Sequence, residues 1–201
     1  MSPVPTVRGP YAKSAERRSR ILEAGIRVFA AHGYHAGSIQ RIADEVGISM
    51  SGLLHHFDSK AALLAAILER RDELSLEFMD VDSHHGIDLL RALIALTAYN
   101  QSSPGLVELH CMLSAEATSA DHPAHDYFVA RYETTVGAIE TAFAEAADAG
   151  QLTAGISPPE AARDVTALMD GLQVQWLLTG GAFDMAVLLR AHLERLLAVP
   201  L

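Results

Sequence analysis

An all-α protein is what this sequence predicts, on three observations. Apolar residues recur at spacings of three and four along most of the chain, period-two alternation is rare, and clusters of Gly, Pro and Ser cut the pattern into segments of helical length. Half of the 201 residues are hydrophobic, enough to bury a sizeable core. The single cysteine, Cys111, excludes an intrachain disulfide and fits a reducing compartment.

The elements follow in order. A first helix is expected from about Ser14 to His32, with Ile21, Leu22, Gly25, Val28 and Phe29 on one side, and the glycine of "AAHGY", Gly33, stops it. "SIQRIADEV" forms the second behind Ser38 as N-cap, and Ser49 caps a third, short one within "GISMSGLLHHF", residues 47–57. The fourth begins at "DSK" and runs through "SKAALLAAILERRDELSLEFMD" to the polar break "DVDSHHG". Five longer helices are expected near 87–101, 105–118, 123–149, 158–179 and 183–198, divided by "SSPG", "SADHP", "GQLTAGISPP" and "TGG". Pro158 and Pro159 suit a helix start, and Gly180 with Gly181 suits a stop. The total is nine, without internal repeats.

Charge is distributed unevenly. The formal net charge is −10, yet residues 1–60 carry eight basic groups against five acidic ones, whereas the remaining 141 carry seven arginines against twenty acids. Both lysines and four of the ten histidines lie in that first part. Such asymmetry points to an anion-binding N-terminal module on an acidic body that repels nucleic acid docked the wrong way round. The N-terminal stretch lacks an apolar core of signal-peptide length, and the longest apolar run, "AALLAAIL" at 61–68, is far too short to span a bilayer. A cytoplasmic protein with no membrane partner is expected.

The segment "SIQRIADEVGISMSGLLHHF", residues 38–57, carries the functional signal. Ile42 and Val46 share one face, Ala43 allows a second helix to cross closely, and Gly47 supplies the unusual backbone conformation of a sharp corner. Ile48 plugs that corner, and Leu53 with Phe57 turn inward at i, i+4 spacing. This is a helix-turn-helix pattern, whose second helix can enter a major groove.

Residues 18–69, through "IL.A....F...G", "IA..VGIS" and "HHF.SK..L", resemble the DNA-binding domain of the TetR (tetracycline repressor) family of bacterial transcriptional regulators. "LMDGLQVQWLL", residues 168–178, is similar to dimer-helix sequences of some members. The resemblance implies a nine-helix, TetR-like Ω-shaped homodimer that binds a near-palindromic double-stranded DNA operator and usually represses until a small-molecule effector releases it. It implies a DNA-binding domain at 1–60, with the helix-turn-helix at 38–57, and a ligand-binding and dimerisation domain at 61–201, linked through the long fourth helix. DNA contacts are implied for Gln40, Ser49, Met50, Ser51, Gly52, His55, His56 and Lys60. Of the histidines, His56 is the better match and His55 is expected to pack against the adjoining helix. An amide at Gln40 suits adenine, and Lys60 at a helix start suits a phosphate. Arg8 and Lys13 would form an arm in the minor groove. Leu54 stands where the family often has a tyrosine, so that backbone contact is lost. Protonation of the histidine pair beside phosphate would strengthen operator binding as pH drops towards about 6.

In the body, Tyr99, Leu113, Phe128, Tyr132, Met169, Leu172 and Trp176 are candidates to line a ligand pocket between helices. "LMDGLQVQWLL" and "MAVLLRAHLERLLAV" are apolar enough for an isologous interface through the last two helices, with Gly171 permitting close approach. His110, Cys111, Glu116, His122 and His125 lack the dense spacing of a metal site, so no metal or other cofactor is expected. Neither a nucleophile elbow nor a phosphate-binding glycine loop occurs, and no enzymatic activity is expected. The competing class is a small-molecule or metal-binding helical sensor without sequence-specific DNA binding.

Overall fold

A computed structural model of the chain describes residues 10–79 and 84–201. The arm residue Arg8 and positions 80–83 of the polar break lie outside them, whereas Lys13 is exposed on the first helix. Among the described residues there are nine helices and no strand: α1 (Pro10–Ala36), α2 (Ile39–Val46), α3 (Met50–Leu54), α4 (Lys60–Met79), α5 (Ile87–Gln101), α6 (Pro104–Glu116), α7 (His125–Asp148), α8 (Pro158–Leu178) and α9 (Met185–Leu196). No described helix is long and apolar enough to cross a membrane.

Local chemistry accounts for most boundaries. Ser38 and Ser49 both sit in extended backbone and accept a hydrogen bond from the third residue beyond, Arg41 N at 3.1 Å and Gly52 N at 3.0 Å. Asp184 does the same for α9, accepting from Ala186 N and Val187 N. Pro104 and Pro158 occupy first-turn positions, where the missing N–H has no helical partner to lose. Helix α1 reaches Ala36, beyond the expected stop, but Gly33 at φ 69°, ψ 179° breaks its regular geometry, so the glycine ends one helical run and a final turn follows.

Two hydrophobic cores divide the molecule differently from the chain order. The first gathers α1 (Ile21, Val28, Phe29), α2 (Ile42, Val46), α3 (Leu53) and the opening half of α4 (Leu63, Ile67, Leu68), together with Leu109 and Leu113 of α6 and Phe128 of α7. The second joins α5, α7, α8 and α9 around Leu90, Leu93, Phe143, Val165, Leu189 and Leu193. Each fully buried Leu or Phe contributes roughly 1.5–3 kcal/mol of transfer free energy. Leu109 and Leu113 therefore seat α6, and Phe128 the start of α7, firmly against the N-terminal helices. Helix α4 reaches out of the first core: Leu68 is inside it, and the next turn faces the body.

Candidate functional site

The corner between α2 and α3 is built from a left-handed glycine. Gly47 lies at φ 75°, ψ 38°, and its N–H and that of Ile48 close onto Asp44 O and Ala43 O at 3.1 and 3.0 Å. Nothing lies within 4 Å of a Cβ added there, so conformation rather than space selects glycine. The corner turns Ile42, Ala43 and Leu53 into the core, all with zero exposure, and leaves the start of α3 outward. Ser49, Met50 and Ser51 are exposed and Gly52 is half-buried; Met50 keeps 47% of its surface, although helical periodicity groups it with the inward Leu53 and Phe57. Leu54 is half-buried.

Several polar groups on this face have partners within the protein. Gln40 Nε2 donates to Asp44 Oδ1 at 2.7 Å, one helical turn along α2. Lys60 Nζ donates to His35 O at 3.2 Å and stands 4.4 Å from the centre of the Tyr34 ring. Burial pushes the Lys60 pKa down against the opposing pull of Glu116. The histidines reverse the expected exposure: His55 is exposed and His56 half-buried, because residues 53–57 finish with Leu53 and Phe57 turned inward and His56 lies beside α1. Burial, then His55, Arg17 and Arg18, lower the His56 pKa, which works against the protonation that the sequence suggests. Arg17 and Arg18 complete a cationic edge that the pattern "ERRSR" signals, with the Arg18 guanidinium 4.8 Å from the centre of the Phe57 ring.

The body holds a cavity of about 400 Å³ between α4, α5, α7 and α8, lined by Leu93, Leu96, Ala130, Ala138 and Met169, with Asp72, Tyr127 and Arg131 among its polar walls. A smaller space of about 50 Å³ shares Ser75, Leu96, Arg131, Thr135 and Met169 with it and adds Arg71, His110, Tyr132, Asp170 and Gln173. Around these spaces Asp72 accepts from Arg131 Nη1 and from Tyr127 OH. Asp170 accepts from His110 Nε2 at 3.2 Å and Tyr132 OH at 2.7 Å. Burial and the neighbouring Arg71 drive the His110 pKa down to about 4, which keeps the ring neutral and makes Nε2–H the donor to Asp170. Burial opposes ionisation of Asp170, yet those two hydrogen bonds hold its carboxyl below the usual range. Burial and Asp170 push the Cys111 thiol up to about 11, far from a reactive thiolate.

The sequence-derived pocket residues scatter around this cavity. Met169 lines both spaces and Tyr132 the smaller one. Tyr99 packs against the second core, Leu113 and Phe128 belong to the first, and Leu172 with Trp176 form a third cluster with Met185. Arg71, Asp72, Tyr127, Arg131 and Asp170 were invisible to the sequence reading. For Arg71, Asp72, Arg131 and Asp170 the only signal is charge on otherwise apolar helix faces, and Tyr127 offers none.

Glu116, at the end of α6, ties the body to the N-terminal helices. Its Oε2 accepts the Tyr34 N–H at 2.7 Å and stands 3.6 Å from Nε2 of His122, whose ring is packed edge-on against Tyr34. Burial lowers the His122 pKa against the pull of Glu116. His125 Nδ1 pairs with Ala117 O at 2.8 Å, and among the described residues no group of three or more His, Cys, Asp or Glu is placed to hold a metal.

Known proteins match both parts of the chain. Residues 21–67 fit the model of bacterial regulatory proteins, tetR family, and residues 86–198 fit that of the BetI-type transcriptional repressor, C-terminal. The HTH-type transcriptional activator FasR of Mycolicibacterium smegmatis is 43% identical over 63 residues, 31% of this chain and 29% of its own length. The HTH-type transcriptional regulator UidR of Escherichia coli is 35% identical over 83 residues, 40% of this chain and 42% of its own. These alignments span less than half of either relative. The crystal structure of a TetR-family transcriptional regulator from Agrobacterium tumefaciens superposes with a TM-score of 0.79 at 19% identity, over 92% of this chain and 100% of that one.

Proposed function

The chain belongs to the tetR family of bacterial regulatory proteins, and from that premise we propose that it is a cytoplasmic, DNA-binding transcriptional regulator, a homodimeric repressor released by a small-molecule effector. The observation that carries the proposal is the left-handed Gly47 corner, which leaves the Ser49-capped start of α3 outward from a fully buried base. A capped helix start of this kind offers backbone N–H groups and small side chains to a groove, with Ser49, Met50, Ser51 and Gly52 at the base edges. Gln40 reaches bases or phosphates from α2, and His55, His56 and Lys60 meet the phosphate chain.

Dimerisation through α8 and α9 is supported by the apolar side chains that remain exposed there, Val174, Leu178, Val187 and Leu188. Within one protomer a Cβ at Gly171 would meet only the Gln175 side chain, leaving that point of α8 open to a partner helix. Two recognition helices then sit about 34–36 Å apart, one turn of DNA. The cavity between α4, α5, α7 and α8 takes the effector. Helix α4 carries Asp72 at the cavity and Leu68 in the first core, and α6 carries His110 at one end of the path and Glu116 at the other. Two rigid helices thus connect effector to reading head and change the spacing between half-sites.

Random-site selection followed by gel shift over a salt series tests the reading. One enriched near-palindrome bound with steep salt dependence is expected; binding without sequence preference refutes it. On the selected site Gln40→Ala should relax base preference, whereas Lys60→Ala should weaken every sequence alike and reduce the salt slope by about 1.

A further inference from the structure

The polar annex of the cavity describes the head of its ligand, an inference that rests on the reading of that cavity as an effector site. The carboxylate of the annex, Asp170, is occupied by His110 and Tyr132, and that of the adjoining chamber, Asp72, by Arg131 and Tyr127. Three buried atoms lining the annex, a space of about 50 Å³, have no hydrogen-bond partner among the described residues: Arg71 Nη1, His110 Nδ1 and Gln173 Oε1. The Arg71 side chain keeps only 9% of its surface, and its Nη1 stands 3.9 Å from Asp72 Oδ1, beyond hydrogen-bond reach. A buried guanidinium donor without an acceptor is costly, and a carboxylate is the group whose charge and geometry match it. His110 spends its N–H on Asp170 and so presents Nδ1, like Gln173 Oε1, as an acceptor.

We propose that the cavity binds an amphipathic carboxylate, with the apolar body in the chamber of about 400 Å³ and the carboxylate paired with Arg71 in the annex. A hydroxyl or N–H beside the carboxylate completes Gln173 and His110. With roughly 30 Å³ for each water-sized group, the chamber takes a body of about ten to thirteen non-hydrogen atoms. With Asp72 and Asp170 already engaged, a cationic head finds no free carboxylate and meets the unpaired Arg71 donor, so it is disfavoured.

Calorimetric titration of the full chain at about pH 7.5 with decanoate, 1-decanol and decylamine, each below its micelle concentration, tests the assignment. Decanoate is expected to bind about ten-fold or more tightly than the other two. Arg71→Met keeps the bulk and removes the donor, and should bring decanoate to within about three-fold of decanol; Met169→Trp, which fills the chamber, should weaken every probe. Equal affinities, preference for decylamine, or a carboxylate preference that survives Arg71→Met overturns the head assignment and leaves the cavity a binding site. If no probe binds while operator DNA still does, the effector reading fails and the proposal with it. The wild-type series is decisive even if a variant fails to fold.

Discussion

Gly33→Ala should break the joint between the N-terminal helices and the body, and its cost can be worked from two terms. Gly33 lies at φ 69°, ψ 179°, a region open essentially to glycine alone, so alanine there costs about 1–3 kcal/mol in backbone strain. The new Cβ would also run into the Glu116 carboxylate, whose Cδ lies 2.8 Å from its position. That carboxylate accepts the Tyr34 N–H at 2.7 Å, and displacing it forfeits a charge-assisted hydrogen bond of about 1.5–3 kcal/mol. Gly33→Ala therefore costs roughly 2.5–6 kcal/mol, whereas Glu116→Ala loses only the second term. In the double variant there is no carboxylate to collide with, so the two substitutions overlap by about 1.5–3 kcal/mol. Urea denaturation of all four proteins at one protein concentration, followed by circular dichroism, measures the overlap. Additivity within about 0.5 kcal/mol would refute the reasoning, because Gly33 would then serve the backbone alone and Glu116 would be an independent contact.

Two further predictions concern acid stability and assembly. His110 has a folded-state pKa of about 4 against an ordinary 6.5, so the unfolded chain binds a proton the folded one refuses; the stability is whole above about pH 6.5 and is lost as pH falls towards 4. The loss at pH 5 is ~2 kcal/mol, and His110→Gln should flatten the unfolding free energy between pH 6.5 and 5 relative to wild type; parallel curves would contradict the buried neutral imidazole. Val174→Glu combined with Val187→Glu places charge on the exposed apolar face of α8 and α9. It should give a helical monomer in analytical ultracentrifugation with much weaker operator binding, and a surviving dimer would move the interface elsewhere.

The corner between α2 and α3 was legible because its determinants are local. Ser38, Ser49 and Gly47 each act on backbone groups within a few residues, and those short-range hydrogen bonds and torsions are written in the order of the chain. Even there, the engagement of Lys60 with His35 and Tyr34 and the seat of His56 beside Arg17 and Arg18 required the packing of α1 against α4 and against the residues that follow α3.

The sequence by itself determined that the chain is helical, where most of its helices begin and end, and that its corner at 47–57 resembles a DNA reader. Only the tertiary structure decided what the body's helices face. Leu113 and Phe128 have the same apolar periodicity as Met169, yet they complete the first core while Met169 lines the cavity. Arg131 finds Asp72 across 59 residues, and Tyr34 finds Glu116 across 82. Periodicity reports that a side chain is turned inward; its neighbours are set by how helices cross, and crossing depends on the shapes of both surfaces at once. The cavity between α4, α5, α7 and α8 is the space those crossings leave, so no single segment of the chain encodes it.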